Sequence, residues 1–190
     1  MSSNHYSIGL SEHDRLEKEL GGGIPKGSIV LIEGDYGAGK SVLSQRFTYG
    51  FNTEDVVTTL VSTELGVKGF LDQMNSLTYD IVKPLINEEV LFIPAEIDAS
   101  GTLTGSDEEE DRKQLLKRMM EAETMWEADV ILIDTFDAIL RNDPKFEALV
   151  RQNEERQAAL EIISFFRDLT TKGKTIVLTV DPSTVGEEAI

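Results

Sequence analysis

The sequence predicts an α/β fold in which a mostly parallel sheet carries helices on both faces. Short apolar runs alternate along the chain with segments of helical spacing, and this alternation is typical of parallel strands joined by helical crossovers. A phosphate-binding loop pattern joins the first of these strands to a helix at residues 34–41. Another strand-like run of four aliphatic residues ends in an acid, Asp134. Both features are typical of nucleotide-binding α/β proteins.

The first half of the predicted fold centres on the phosphate loop. Ser11 and Asp14 predict the cap of a short helix that ends at Gly21, and residues 21–25 then predict a loop. Periodicity predicts the elements that follow. They are a strand over 27–33, a helix over 40–50, a strand over 56–63 and an amphipathic helix over 66–76.

The second half contains three apolar strands separated by longer connections. Residues 99–106 predict a mobile surface excursion, and the acidic run 107–111 predicts solvated charge at the start of a helix. The predicted strands cover 90–94, 130–134 and 175–180, and the predicted helices run from 115 to Trp126, a packing residue, and over 154–172.

Residues 34–41 match the pattern G-x-x-x-x-G-K-[ST], the Walker A motif. Here a strand turns abruptly into a helix, so several main-chain N–H groups point into one concavity that can surround a phosphate. We expect Lys40 to reach the β- and γ-phosphates and the Ser41 hydroxyl to coordinate Mg²⁺. The residues predicted to bind the nucleotide are Gly34, Asp35, Tyr36, Gly37, Ala38, Gly39, Lys40, Ser41 and Val42.

Two carboxylates follow predicted strands. Asp134 is expected at the carboxyl edge of the sheet, where it would act as the Walker B acid and hold Mg²⁺ through water. Glu64 is the candidate general base that would orient a water toward the γ-phosphate. A strand-end glutamate without a catalytic role is the open alternative. The ordinary interpretation of Tyr36 is packing at the loop, with a position near the nucleotide as the alternative. Asp137 and Arg141 are expected to lie on the surface, with a relay from the Asp134 loop to a neighbour as the alternative.

Composition limits the classes of function. The net charge is −17 with a pI of about 4.4, and such a surface repels the phosphate backbone that dominates nucleic-acid affinity, so no direct nucleic-acid binding is expected. Cysteine is absent, which excludes disulfides, thiolate metal sites and cysteine nucleophiles. The length predicts a single soluble domain over residues 1–190. No apolar stretch reaches about 18 residues, so we expect a protein that neither spans a membrane nor is secreted.

The glycine-rich segment 21–28, running into the phosphate loop, resembles the KaiC branch of the RecA-like P-loop ATPases. Three longer segments extend this similarity. They resemble the FlaH (ArlH) family, the nucleotide-binding subunits of the archaeal flagellum (archaellum) motor, and read HDRLEKELGGGIPKGSIVLIEGDYGAGKSVLSQRFTYG, STELGVKGFLDQM and VILIDTFD.

This resemblance implies an archaeal cytoplasmic protein, peripheral to the membrane at the motor base, that binds ATP and Mg. It implies docking against the motor ATPase FlaI and the membrane-associated scaffold of the motor. RecA-like modules often form rings, so a homo-oligomeric ring is one expectation. In the family ATP acts more as a conformational ligand than as fuel, which implies weak or no hydrolysis. Relatives in the KaiC branch often carry a second glutamate where Leu65 follows Glu64 here, which weakens the case for rapid turnover. RecA-like folds usually continue past the fifth strand, and the resemblance leaves open whether such strands follow Ile190 or are absent from this member.

Two alternative functions stay open. An active KaiC-like ATPase or autokinase would need Glu64 as base and a positive group supplied in trans. A RecA-type DNA recombinase would fit the fold but conflicts with the negative charge.

Overall fold

The computed structural model describes residues 4–95, 123–141, 163–164 and 166–181, and its centre is a parallel five-stranded sheet. The strands are β1 (His5–Tyr6), β2 (Ile24–Pro25), β3 (Ile29–Glu33), β4 (Thr58–Ser62), β5 (Val90–Pro94), β6 (Val130–Asp134) and β7 (Thr175–Val180). The helices are α1 (Leu16–Glu19), α2 (Lys40–Thr53), α3 (Val67–Ser76), α4 (Val82–Ile86), α5 (Glu123–Glu127), α6 (Phe136–Arg141) and α7 (166–171).

The sheet has the strand order β3-β7-β6-β4-β5, and every neighbouring pair is parallel. The three inner strands β4, β6 and β7 are buried along their whole length, as expected for parallel strands covered on both faces. Parallel order brings the carboxyl ends of β3, β4, β6 and β7 to one edge. The predicted site residues therefore share that edge of the sheet.

Helices pack on both faces of the sheet, which confirms the predicted fold class. On one face α2 and α3 pack on the strands. The core between them contains Phe47, Phe51, Leu60, Phe70, Met74, Val130, Leu132 and Val177. On the other face α5, α6 and α7 contribute to a second core that contains Val61, Met125, Ile131, Ile133, Phe136, Ile139, Phe166, Leu169, Ile176 and Leu178. Trp126 packs against this second core, so its predicted packing role is confirmed.

The N-terminal segment differs from the prediction in two ways. Residues 24–25 form β2, which pairs antiparallel with β1, so the predicted loop over 21–25 is wrong at its end. The N–H of Leu16 donates to Asp14 Oδ1 at 3.0 Å, whereas the Ser11 hydroxyl donates to the side chain of Glu17. The N-cap position itself is Arg15, so Asp14 supports the first turn of α1 from one residue earlier and Ser11 does not cap the helix.

Several predictions fall outside the described residues. They are the excursion over 99–106, the acidic run 107–111 and most of the two predicted helices over 115–126 and 154–172. Among the residues that are described, no helix has the length and apolar character needed to cross a membrane.

Two adjacent threonines of β4 offer a matched test of this packing. Thr59 is buried and its hydroxyl has no hydrogen-bond partner among the described residues, whereas the hydroxyl of buried Thr58 donates to the Val56 carbonyl at 3.1 Å. We expect Thr59→Val to raise the free energy of unfolding by about 1 kcal/mol, because an unpaired buried hydroxyl is removed. Thr58→Val should lower it by about 1 kcal/mol. Urea unfolding of both variants measures the difference, and equal shifts would contradict the described pairing.

Candidate functional site

The phosphate loop, residues 34–39, connects β3 to α2 through backbone that glycine adopts readily. Gly37 and Gly39 have φ of 79° and 91°, and Gly39 is the residue that precedes the first turn of α2. L-residues with a side chain are strained in this region. The loop is anchored to the sheet where the Gly34 N–H donates to the Val180 carbonyl at 3.3 Å. The sequence thus builds the strand, turn and helix that the motif predicted.

Lys40 folds its ammonium group back over the loop. Its Nζ donates to the carbonyls of Gly34 at 2.7 Å and Asp35 at 3.0 Å. These contacts hold the positive charge beside the N-terminus of α2, where unpaired main-chain N–H groups already favour an anion. Phosphate oxygens are stronger partners for an ammonium than neutral carbonyls. The geometry therefore suits exchange of these carbonyl contacts for contacts to phosphate.

Two side chains of the loop region are exposed. Tyr36 is 89% exposed, so its predicted packing role at the loop is wrong. Val42 is also exposed, whereas Phe47 is buried in the core below α2 and anchors the helix. Both exposed side chains belong to the residues predicted to bind the nucleotide.

Asp134 lies at the end of β6 and is only 3% exposed. Thr179 Oγ1 donates to its Oδ1 at 2.7 Å. Burial raises the pKa of Asp134, and hydrogen bonds from Thr179 and Ser41 oppose that rise. The negative charge of Glu64 raises this pKa further, and Lys40 lowers it. The structure thus brings Lys40, Ser41, Glu64 and Asp134 into one electrostatic environment.

The chemistry of Ser41 and Asp134 fits Mg²⁺. This ion prefers oxygen ligands and is commonly bound by few protein groups together with water and substrate phosphates. The Ser41 hydroxyl, which lowers the pKa of the Asp134 carboxyl, and that carboxylate itself supply such oxygens. Bound there with a nucleotide, Mg²⁺ would neutralise charge on the β- and γ-phosphate oxygens.

Glu64 is exposed at the end of β4, on the same edge as Asp134. Its Oε1 accepts a hydrogen bond from the Thr135 hydroxyl at 3.2 Å. Thr135 is itself held, because its N–H donates to Thr63 Oγ1 at 3.1 Å, and the Thr63 N–H donates to the Asp134 carbonyl at 2.7 Å. These bonds continue the β4–β6 pairing past its last register pair. They place the candidate base beside the candidate metal residue.

Sequence reasoning missed three residues of this edge. Thr135 and Thr179 contact the two carboxylates, and their only signal in the sequence is a hydroxyl at the end of a buried strand. Asp137 is 1% exposed, and its Oδ1 accepts from the Asp181 N–H at 3.1 Å. The prediction that Asp137 lies on the surface is therefore wrong.

Comparisons with known proteins agree with this geometry. The family described as "ATPase: KaiC" matches residues 9–190. The archaeal flagellar ATP-binding protein FlaH of Methanocaldococcus jannaschii is 37% identical over 183 residues, which are 96% of this chain and 71% of that protein. The protein of the same name from Methanococcus voltae is 31% identical over 179 residues, 94% of this chain and 70% of that protein.

A solved structure shares the fold. The crystal structure of the flagellar accessory protein FlaH from Methanocaldococcus jannaschii matches with a TM-score of 0.76 and 34% sequence identity. The match covers 97% of this chain and 74% of that chain. The similarity in sequence and in fold thus extends over nearly all of the present chain.

Proposed function

The chain belongs to the FlaH family of KaiC-like P-loop ATPases, and from this we propose that it is an ATP-binding subunit of the archaellum motor whose assembly is controlled by the bound nucleotide. ATP with Mg²⁺ binds at residues 34–42. The loaded form associates with the other motor components. Binding, rather than turnover, is the functional output.

One observation carries this proposal. The ammonium of Lys40, the hydroxyl of Ser41 and the buried carboxylate of Asp134 converge at the N-terminus of α2. These three groups are what a magnesium-bound triphosphate needs from a protein: a point charge for the terminal phosphates and oxygens for the ion. Main-chain N–H groups of the loop complete the phosphate cradle.

The surroundings of Glu64 support slow hydrolysis. The apolar Leu65 follows Glu64 at the position where ATPases of the KaiC branch often carry a second glutamate. A nucleotide need not be hydrolysed to control assembly. A ligand that favours one state by about 3 kcal/mol shifts the equilibrium more than a hundredfold.

The proposed partners are the motor ATPase FlaI and the membrane-associated scaffold of the motor, with a homo-oligomeric ring as the arrangement of the subunit itself. The protein would act in the cytoplasm, peripheral to the membrane at the motor base. The net charge of −17 argues against nucleic acid as a partner.

Association with FlaI tests the proposal. We expect the Kd for FlaI to be at least about tenfold lower with ATP and Mg²⁺ than with ADP or with no nucleotide, a difference of about 1.4 kcal/mol. The same series with the scaffold protein tests the second contact. Equal Kd values under all three conditions would contradict control by the nucleotide.

Replacement of Glu64 tests whether ATP acts as a bound ligand or is hydrolysed as fuel. We expect Glu64→Gln to leave the ATP affinity unchanged within about twofold and the association with FlaI intact, because the phosphate contacts come from the loop. Phosphate release should be far slower than about 1 s⁻¹ in both proteins. Rapid release by the wild type that Glu64→Gln abolishes would instead support the active ATPase or autokinase.

A further inference from the structure

Thr179 lies between the phosphate loop and Asp134. On β7 it pairs with Ile32 of β3, and its neighbour Leu178 pairs with Ile133 of β6. Its side chain therefore stands beside Asp134, on the face of the sheet that α2 covers. No part of the phosphate-loop motif requires a hydroxyl at this place.

The hydroxyl of Thr179 engages one oxygen of the Asp134 carboxylate. The Oγ1–Oδ1 distance is 2.7 Å, and Thr179 and Asp134 are 1% and 3% exposed. A carboxylate can rotate about its Cβ–Cγ bond. Fixing Oδ1 by a buried donor limits this rotation and so sets where the second oxygen lies. Hydrogen bonds of this kind orient metal-binding carboxylates in other proteins.

We propose that Thr179 is a positioning residue for Mg²⁺, whose hydroxyl holds the Asp134 carboxylate in the orientation that receives the ion bound with ATP. This inference rests on the proposed nucleotide site and adds a residue to it. A purely structural hydroxyl would instead matter equally with and without the ion.

The test compares ATP affinity in Mg²⁺ with ATP affinity in excess EDTA, by calorimetry. For Thr179→Val, which keeps the side-chain shape, we expect the gain in affinity from Mg²⁺ to fall about tenfold, the size typical for loss of a group that orients a metal ligand. The Kd in EDTA should stay within about twofold of wild type. Thr179→Ser retains the hydroxyl and should restore the gain.

A matched control lies at the other end of the same strand. Thr175 is also buried on β7, and its hydroxyl contacts Gly27 and Pro25, far from the site along the strand. Thr175→Val should keep the full Mg²⁺ gain. Thr179→Ala carries the same expectation as Thr179→Val and replaces it in the test should the valine variant fail to fold.

Two results would overturn the inference. One is a full Mg²⁺ gain in the variants that lack the hydroxyl. The other is an equal loss of affinity in Mg²⁺ and in EDTA, which would assign Thr179 a structural role only. Failure of the wild type to bind ATP in Mg²⁺ would overturn the proposed function itself, and this inference with it.

Discussion

Lys40→Ala is expected to weaken ATP binding about 100-fold or more. The ammonium would make two charge-assisted hydrogen bonds to the terminal phosphates, each contributing about 1.5–3 kcal/mol, and alanine removes both. Within the described part of the chain, the hydrogen bonds of the Lys40 ammonium go to the carbonyls of Gly34 and Asp35 in its own loop. The substitution should therefore leave the fold intact and remove the ATP-dependent association with FlaI.

Thermal unfolding gives an independent measurement of this loss. ATP at 100 times its Kd stabilises a protein by about 2.7 kcal/mol, which raises the Tm of a chain of this size by roughly 5–10 °C. The wild type should show this shift in Mg²⁺ and Lys40→Ala should not. Lys26→Ala is the control, since Lys26 lies over the ring of Tyr6, outside the site. An undiminished ATP shift in Lys40→Ala would refute the assigned role of the loop.

Arg46→Met is expected to destabilise the fold by about 3 kcal/mol. The Arg46 side chain is 7% exposed in α2. Its Nε and Nη2 donate to the Asp14 carboxylate at 2.8 and 3.1 Å, Nη2 donates to the Gly9 carbonyl at 2.7 Å, and Nη1 donates to the Ile8 carbonyl. Loss of a buried charge with these acceptors typically costs about 3–5 kcal/mol. Asp14 is 37% exposed, so water offsets part of the loss and the lower value applies.

The N-terminal segment approaches α2 closely beside Arg46. Gly50, one turn along α2, approaches the Ile8 carbonyl so closely that a Cβ atom there would collide with it and with Arg46. Hydrogen bonds from Arg46 therefore hold the N-terminal segment on α2, in addition to apolar packing. Asp14→Asn keeps an acceptor and should cost only about 1 kcal/mol. Urea unfolding ranks the two variants, and a loss for Arg46→Met no larger than that for Asp14→Asn would contradict this assignment.

The ion pair between Arg46 and Asp14 also predicts that the free energy of unfolding depends on pH. The hydrogen bond from Arg46 lowers the pKa of Asp14 below its ordinary value of 3.8. A lowered pKa in the folded state contributes stability that is present above the unfolded pKa and is lost as pH falls through the folded one. The difference in unfolding free energy between wild type and Arg46→Met should therefore narrow below pH 3.8. A difference that stays constant down to acid pH would show that Asp14 does not contribute.

The inner strands β6 and β7 could be predicted from the sequence because both of their faces are buried. The strands β5, β6 and β7 have the predicted bounds, since each is a short run of mostly apolar residues between polar ones. The phosphate loop was equally predictable, because glycines at fixed spacing determine its backbone conformation. Fold class and the position of Asp134 follow from these local patterns alone.

Other features depend on contacts between distant parts of the chain. The β1–β2 pair joins His5 to Pro25 with only two residues in each strand, and no local pattern marks so short a strand. Asp137 was predicted on the surface, where charged residues normally lie. Its hydrogen-bond partner, the N–H of Asp181, lies 44 residues later in the chain, and the contact between them is buried. The role of Thr179 likewise depends on its hydrogen bond to Asp134, which lies 45 residues earlier in the chain.

Calorimetric titration of the wild-type chain with ATP and with ADP in Mg²⁺, with phosphate release followed in parallel, tests the nucleotide site most directly. We predict one ATP bound per chain with a Kd of about 10 μM or lower, and phosphate release far slower than about 1 s⁻¹. The absence of measurable affinity for any nucleoside triphosphate in Mg²⁺ would contradict the assignment of residues 34–42 and Asp134 as a nucleotide site.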